Sequence, residues 1–169
     1  MRKSDIAALP DFYQRYVDQV PDNTLINALE DSRKAFIELI KSIPDERGSY
    51  AYEEGKWSIN QLVSHLNDSE RVFCYRALRF ARFDQTELEG FEQDDYAKVS
   101  GADSRKLSDI IKEFEHIRFA SIDLFSGFDD QQLNATGIAS QTPISVAGIG
   151  YIIAGHVIHH TKVLRERYL

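Results

Sequence analysis

The chain has one cysteine, Cys74, in 169 residues, so no disulfide can form within it. With no charged-then-apolar leader at its start either, a reducing cytoplasm is the expected compartment. No uncharged apolar run reaches about 18 residues, which excludes a helical membrane span. Basic residues are in the minority: 20 Lys and Arg stand against 27 Asp and Glu, a formal charge of −7, and no basic block gathers anywhere. Such a chain repels a phosphate backbone, so nucleic acid is not an expected partner. A Gly-rich phosphate loop, a Gly-x-Ser-x-Gly nucleophile elbow, internal repeats, low-complexity tracts and a credible strand pair are also missing. What is present, 43% apolar and 28% charged residues, is a globular balance at the usual size of a single domain, 1–169.

Helical periodicity accounts for most of that length. Residues 10–20 predict a short N-terminal helix, opened by Pro10, sided by Phe12, Tyr13, Tyr16, Val17 and Val20, and ended by Pro21. A helix over 24–43 carries Leu25, Leu29, Phe36, Ile40 and Ile43, with Thr24 or Asn23 as cap and Pro44 as stop. Ser58 with Gln61 three residues on has capping-box spacing and opens a helix over 59–82 through Leu62, Leu66, Phe73, Ala77 and Phe80. A helix over 104–125 carries Leu107, Ile110, Ile111, Phe114, Ile117, Ile122 and Phe125 and closes at Gly127. After a linker over 128–142, Pro143 opens the last helix, which runs nearly to residue 169.

Four apolar-striped helices bury their stripes most simply on one another, which predicts an all-α four-helix bundle. The link over 83–103 is far longer than the roughly 2 to 8 residues that join antiparallel neighbours, so it is read as a crossover, a lid or both. As a crossover it makes the two helices it joins parallel. Its acidic residues suit a solvated surface, though Phe91 and Tyr96 within it could cover the mouth of a site.

Five histidines occur, at 65, 116, 156, 159 and 160. At about 100° per residue, His156 and His160 fall inside the stripe set by Ile149, Ile152, Ile153 and Val163, while His159 lies at its margin. Two imidazoles one turn apart therefore point into the bundle, where each needs a hydrogen bond, a metal or a wet cavity. An i, i+4 pair can place two nitrogens at about 2.0 to 2.1 Å from one divalent ion. The third ligand best placed by depth is His65, at the edge of its helix's stripe, giving three histidines with an open position, as in catalytic zinc sites. The alternative is three hydrogen-bonded core histidines without metal. His116 and His159 are read as surface or rim residues, and Cys74, about 180° from His65, as packing. Val157 stands where a His-Glu-x-x-His protease has its Glu, which excludes that mechanism.

Glu70 lies close to the apolar centre of its helix, where a carboxylate must be paired or hydrated. It is a candidate general base, a candidate acceptor for a ligand histidine, or one half of a buried pair with Arg165 or Arg167. Trp57, just ahead of the Ser58 cap, is read as packing at the helix start.

The string Tyr52-x-x-Gly55-Lys56-Trp57-Ser58-Ile59, then His65-x-x-Asp68-x-Glu70-Arg71, and later Gly155-His156-x-x-His159-His160 ahead of Arg165-Glu166-Arg167-Tyr168-Leu169, resembles the DinB-like superfamily over nearly the whole chain. The resemblance implies a bundle of up-down-down-up order, commonly a homodimer, with zinc or nickel held by His65, His156 and His160. It also implies either thiol S-transferase chemistry on a small electrophilic substrate, with a low-molecular-weight thiol, or a metal-dependent hydrolase. In the hydrolase Glu70 is the candidate base. A non-catalytic metal- or ligand-binding stress-response module is the alternative from another class.

Overall fold

The computed structural model describes residues 1–169. A short helix α1 (Asp11–Val17) precedes α2 (Leu25–Ile40), whose cap is Thr24, its side chain accepting from the Asn27 N–H. Next comes α3 (Ile59–Ala81), opened by the predicted capping box: the Gln61 N–H donates to Ser58 Oγ, and Gln61 Oε1 accepts from the Ser58 N–H. The chain continues through α4 (Gln93–Val99), α5 (Leu107–Ser126), α6 (Asp130–Asn134), β1 (Thr136–Ala139), β2 (Thr142–Ser145) and α7 (Val146–Val163), ending in a wide helical turn, Leu164–Tyr168.

The bundle is built from α2, α3, α5 and α7, with α2 and α3 each packed against both α5 and α7. Cross-contacts fix the directions. Along α3 and α5 the partners rise together, Asn60 with Arg105, Asn67 with Ile110, Glu70 with Arg118 and Cys74 with Ser121, so these helices are parallel. Between α2 and α5 they run oppositely, Leu29 with Arg118 and Phe36 with Phe114, as do α3 and α7, where Trp57 meets Tyr168 and Phe73 meets His156. The order is up-down-down-up, with the parallel central pair that the long link predicts and the order that the resemblance implies. To begin α5 beside the start of α3, that link must return along about 35 Å of helix. It does so over the face that carries His65, with Gln61 Nε2 donating to the Ala97 carbonyl.

Two predictions about local structure are corrected. A strand pair does exist: β1 and β2 are antiparallel, with Ala139 opposite Thr142. The two-residue turn, Ser140-Gln141, has positive φ at both positions (51° and 60°), the twist a tight hairpin needs, achieved without glycine. Pro143 lies in β2 rather than at a helix start, and its missing N–H is tolerated because β2 is an edge strand. Ser145 then caps α7 by accepting from the Gly148 N–H, so that helix begins at Val146.

The core is two apolar clusters separated by a polar layer. One cluster includes Leu29, Phe73, Phe80, Phe125 and Ile152, the other Phe36, Leu62, Leu66, Phe114 and Val157. Between them each long helix contributes buried polar groups: Ser32 from α2, Ser69 and Glu70 from α3, Arg118 and Ser121 from α5, His156 from α7. No helix is long and apolar enough to cross a membrane.

Candidate metal centre

The polar layer brings together the three histidines singled out by helical rotation. His65 on α3 and His156 and His160 on α7 point their ring nitrogens at a common centre, with ligand atoms all within 4.8 Å of one another. His156 Nε2 lies 3.0 Å from His65 Nε2 and 3.1 Å from His160 Nε2. Imidazole nitrogens at about 2.0–2.1 Å from one ion are about 2.9 Å apart for a right angle and about 3.3 Å for a tetrahedral one, which brackets both distances.

Direct hydrogen bonds among the three rings cannot satisfy this cluster. Each ring nitrogen has a single in-plane site, so His156 Nε2 can serve one neighbour and leaves the other facing it unpaired. His160 Nδ1 is itself buried without a partner. Protonation offers no relief: burial pushes His65 down to about 4. Burial, then the neighbouring imidazoles, holds His156 and His160 well below the ordinary value. Three neutral imidazoles converging through lone pairs are the donor set a divalent cation requires, so the residues fit such an ion.

Several neighbours orient the set. Ser69 Oγ is 3.4 Å from His65 Nδ1, directing the opposite nitrogen toward the centre. Trp57 tilts against the His65 ring at 4.7 Å, so it contributes a wall of the site, a role its reading as helix-start packing missed. Tyr16 of α1 stands edge-on to His156 at 5.3 Å and to His159 at 5.4 Å. That approach depends on Gly155, where a Cβ would meet the Tyr16 carbonyl oxygen at 2.1 Å. His159 is half-buried at the rim and His116 is exposed on α5, as their positions predict.

Glu70 is buried and engaged elsewhere. Its carboxylate takes a two-pronged contact from Arg118 Nε and Nη2, each at 2.8 Å, and accepts from Ser121 Oγ at 2.7 Å. Its ion partner is thus Arg118, not Arg165 or Arg167, both of which are exposed. The signal was available: Arg118 follows Phe114 by four residues and precedes Phe125 by seven, on the stripe of its own helix. Arg118 also donates to the Leu29 carbonyl and Ser32 Oγ, so the network ties α2, α3 and α5 together. Cys74 points its thiol at Ser121 Oγ, and burial pushes that thiol up to about 11, so it is a packing group rather than a nucleophile.

Two clefts open on the three histidines and share no lining residue. The first, about 600 Å³, reaches His160 between Trp57, Tyr168 and Lys98 of α4. The second, about 500 Å³, reaches His65 and His156 between α1, the Gly90–Gln93 stretch and the hairpin turn. Glu70 lines neither. The acidic link thus does more than present a solvated surface: Phe91 and the α4 residues Asp94 and Lys98 wall the clefts, while Tyr96 is exposed beside Phe91.

Known proteins resemble this chain in sequence and in fold. The profile of the DinB superfamily matches residues 28–164. A protein of Oceanobacillus iheyensis named "Putative metal-dependent hydrolase" is 30% identical over 125 residues, 73% of this chain and 71% of that one. Another of the same name from Geobacillus thermodenitrificans is 26% identical over 140 residues, 80% of this chain and 78% of that one. Among solved structures, YfiT from Bacillus subtilis, described as a probable metal-dependent hydrolase with an unusual four-helix bundle topology, superposes with a TM-score of 0.69 at 18% identity, covering 83% of this chain and 84% of that one. The mycothiol-dependent maleylpyruvate isomerase superposes with a TM-score of 0.70 at 8% identity, covering 82% of this chain and 58% of that one. At these identities the two structures establish the shared fold.

Proposed function

The chain belongs to the DinB superfamily, and on that premise we propose that it is a metal-dependent enzyme transferring a low-molecular-weight thiol to a small electrophile. The observation that carries this reading is the pair of separate clefts meeting at one set of three histidines. A transfer between two molecules needs both held at once beside the reacting atoms, whereas hydrolysis needs one cleft and water.

His65, His156 and His160 would hold the ion, which we propose is zinc or nickel. When bound, a divalent ion supplies Lewis acidity, lowering the pKa of a thiol or of water into the neutral range. The protein's own residues do the rest. Burial keeps the three imidazoles neutral and so able to donate their lone pairs. Ser69 orients His65, and Trp57 and Tyr16 pack against the His65 and His156 rings and fix their planes. In the transfer, the thiol sulfur forms a bond to the electrophilic carbon. In a substitution the bond from that carbon to the leaving group breaks, the group departs with the electron pair, and the thiol's proton leaves with it or passes to solvent; in a conjugated acceptor the π pair moves to the neighbouring carbon, which takes up the proton the thiol gave. This chemistry needs no carboxylate base, which accords with Glu70 being held by Arg118. We assign Glu70 a positioning role, keeping α3 and α5 in the register that presents His65.

The names of the two curated relatives favour hydrolysis as the second reading. Thiol consumption with a haloaromatic or α,β-unsaturated electrophile, with and without chelator, separates the two. Transfer predicts thiol loss that the chelator abolishes; ester hydrolysis without thiol loss supports the second reading. Turnover that survives chelation overturns both.

A further inference from the structure

The second cleft contains a charged group that nothing above uses. Arg76 lies on the apolar stripe of α3, three residues after Phe73 and four before Phe80, and is 3% exposed. Its Nη2 donates to the Glu89 carbonyl at 2.8 Å and to Ser140 Oγ at 3.0 Å, both neutral acceptors. Nε and Nη1 make no hydrogen bond within the protein, yet neither is sealed from solvent, so they face the cleft. The contrast with Arg118 is informative. That guanidinium is as deeply buried but has Glu70 as its counter-ion, whereas Arg76 has no acidic partner. A buried cation held by two neutral oxygens, with its other donors turned into a cleft, is built to receive an anion.

The surroundings define which anion. Arg76 is the only Lys or Arg lining this cleft and Glu92 stands at its edge, which suits a single negative charge better than a phosphate dianion. The path from Arg76 to the three histidines is aromatic: the guanidinium centre is 6.0 Å from the Phe73 ring centre, which is 6.3 Å from the His156 ring centre. Tyr13 and Phe91 line the same cleft. We propose that this cleft is the electrophile's subsite and that its ligand is a small organic monocarboxylate with a flat, unsaturated or aromatic body, the carboxylate on Arg76 and the body along Phe73. The proposal rests on the reading of this cleft as a substrate cleft and names the class of molecule it takes.

The test is binding in the absence of thiol, with cinnamate and its neutral isostere cinnamamide titrated into the metal-loaded protein by calorimetry and by NMR of the arginine Nε–H signals. The acid is expected to bind at least about tenfold more tightly than the amide, and to shift the Arg76 Nε–H resonance where the amide does not. Arg76→Gln is expected to remove that preference and Arg76→Lys to retain part of it. Equal binding of acid and amide by the wild type overturns the proposal. So does a preference that survives in Arg76→Gln, since the carboxylate would then be held by the ion. Should Arg76→Gln fail to fold, the acid–amide comparison and the Nε–H shift in the wild type decide alone. Thiol turnover is measured separately: its failure with acid binding intact overturns the transfer reading and leaves the subsite, and the converse leaves the transfer reading without this subsite.

Discussion

Replacing Glu70 by Gln keeps the shape of the side chain, removes its charge and turns one acceptor oxygen into a donor facing Arg118. Both partners are essentially inaccessible, at 2% and 0% exposure, so water cannot rescue the guanidinium left behind. Breaking such a pair from one side costs about 3–5 kcal/mol, a large share of the roughly 5–15 kcal/mol that stabilises an ordinary domain. For a chain of this length that is a fall in Tm of roughly 6–20 °C. Replacing both members, as Glu70→Leu with Arg118→Met, is expected to recover most of the loss, because no charge is then stranded. The assay is denaturant unfolding of the single and double variants, alongside thiol-transfer turnover per folded molecule. The reasoning is refuted if Glu70→Gln unfolds within about 1 kcal/mol of the wild type while turnover falls by about 100-fold or more, the signature of a lost general base.

Three further outcomes are expected. In metal-free protein the depressed His65 pKa makes stability fall as pH drops: the unfolded chain takes up a proton below about 6.5, whereas the native imidazole resists until about 4. The contribution is thus complete above 6.5 and lost by 4, about 3 kcal/mol from this group, and unfolding midpoints that stay level between pH 7 and 4.5 contradict it. Ser69→Ala should weaken ion binding by about 10- to 100-fold with little loss of fold, as read by competition with a chromogenic chelator. Gly155→Ala forces α1 away from α7, at a cost of about 1–3 kcal/mol; hydrogen exchange in residues 11–17 should rise, and unchanged protection there would refute the contact.

The long helices and the histidine centre were legible because both are consequences of helical rotation. The stripes of 24–43, 59–82 and 104–125 became α2, α3 and α5 within a few residues, and the angle between His156 and His160 needs no tertiary information. Their convergence with His65 does, since it depends on α3 and α7 running antiparallel. The hairpin escaped because four-residue strands carry too little alternation to register, and its turn lacks the usual glycine or asparagine. Pro143 then suggested a helix start, a position it suits as well as an edge strand. Arg76 and Arg118 were each visible as a charge on an apolar stripe, but which one meets a carboxylate and which faces a cleft is decided by the neighbouring helix. Ser140 and Thr142 reach the second cleft only through the hairpin, so no periodicity in α3 or α7 pointed to them.

The central claim is that His65, His156 and His160 together hold one divalent ion, and elemental analysis of tag-free protein tests it most directly. After reconstitution with zinc or nickel and removal of loose ions, about one equivalent per chain is predicted for the wild type and close to none for His156→Ala, the ring that touches both others. A wild type that retains no metal, or a His156→Ala protein that retains a full equivalent, would contradict it.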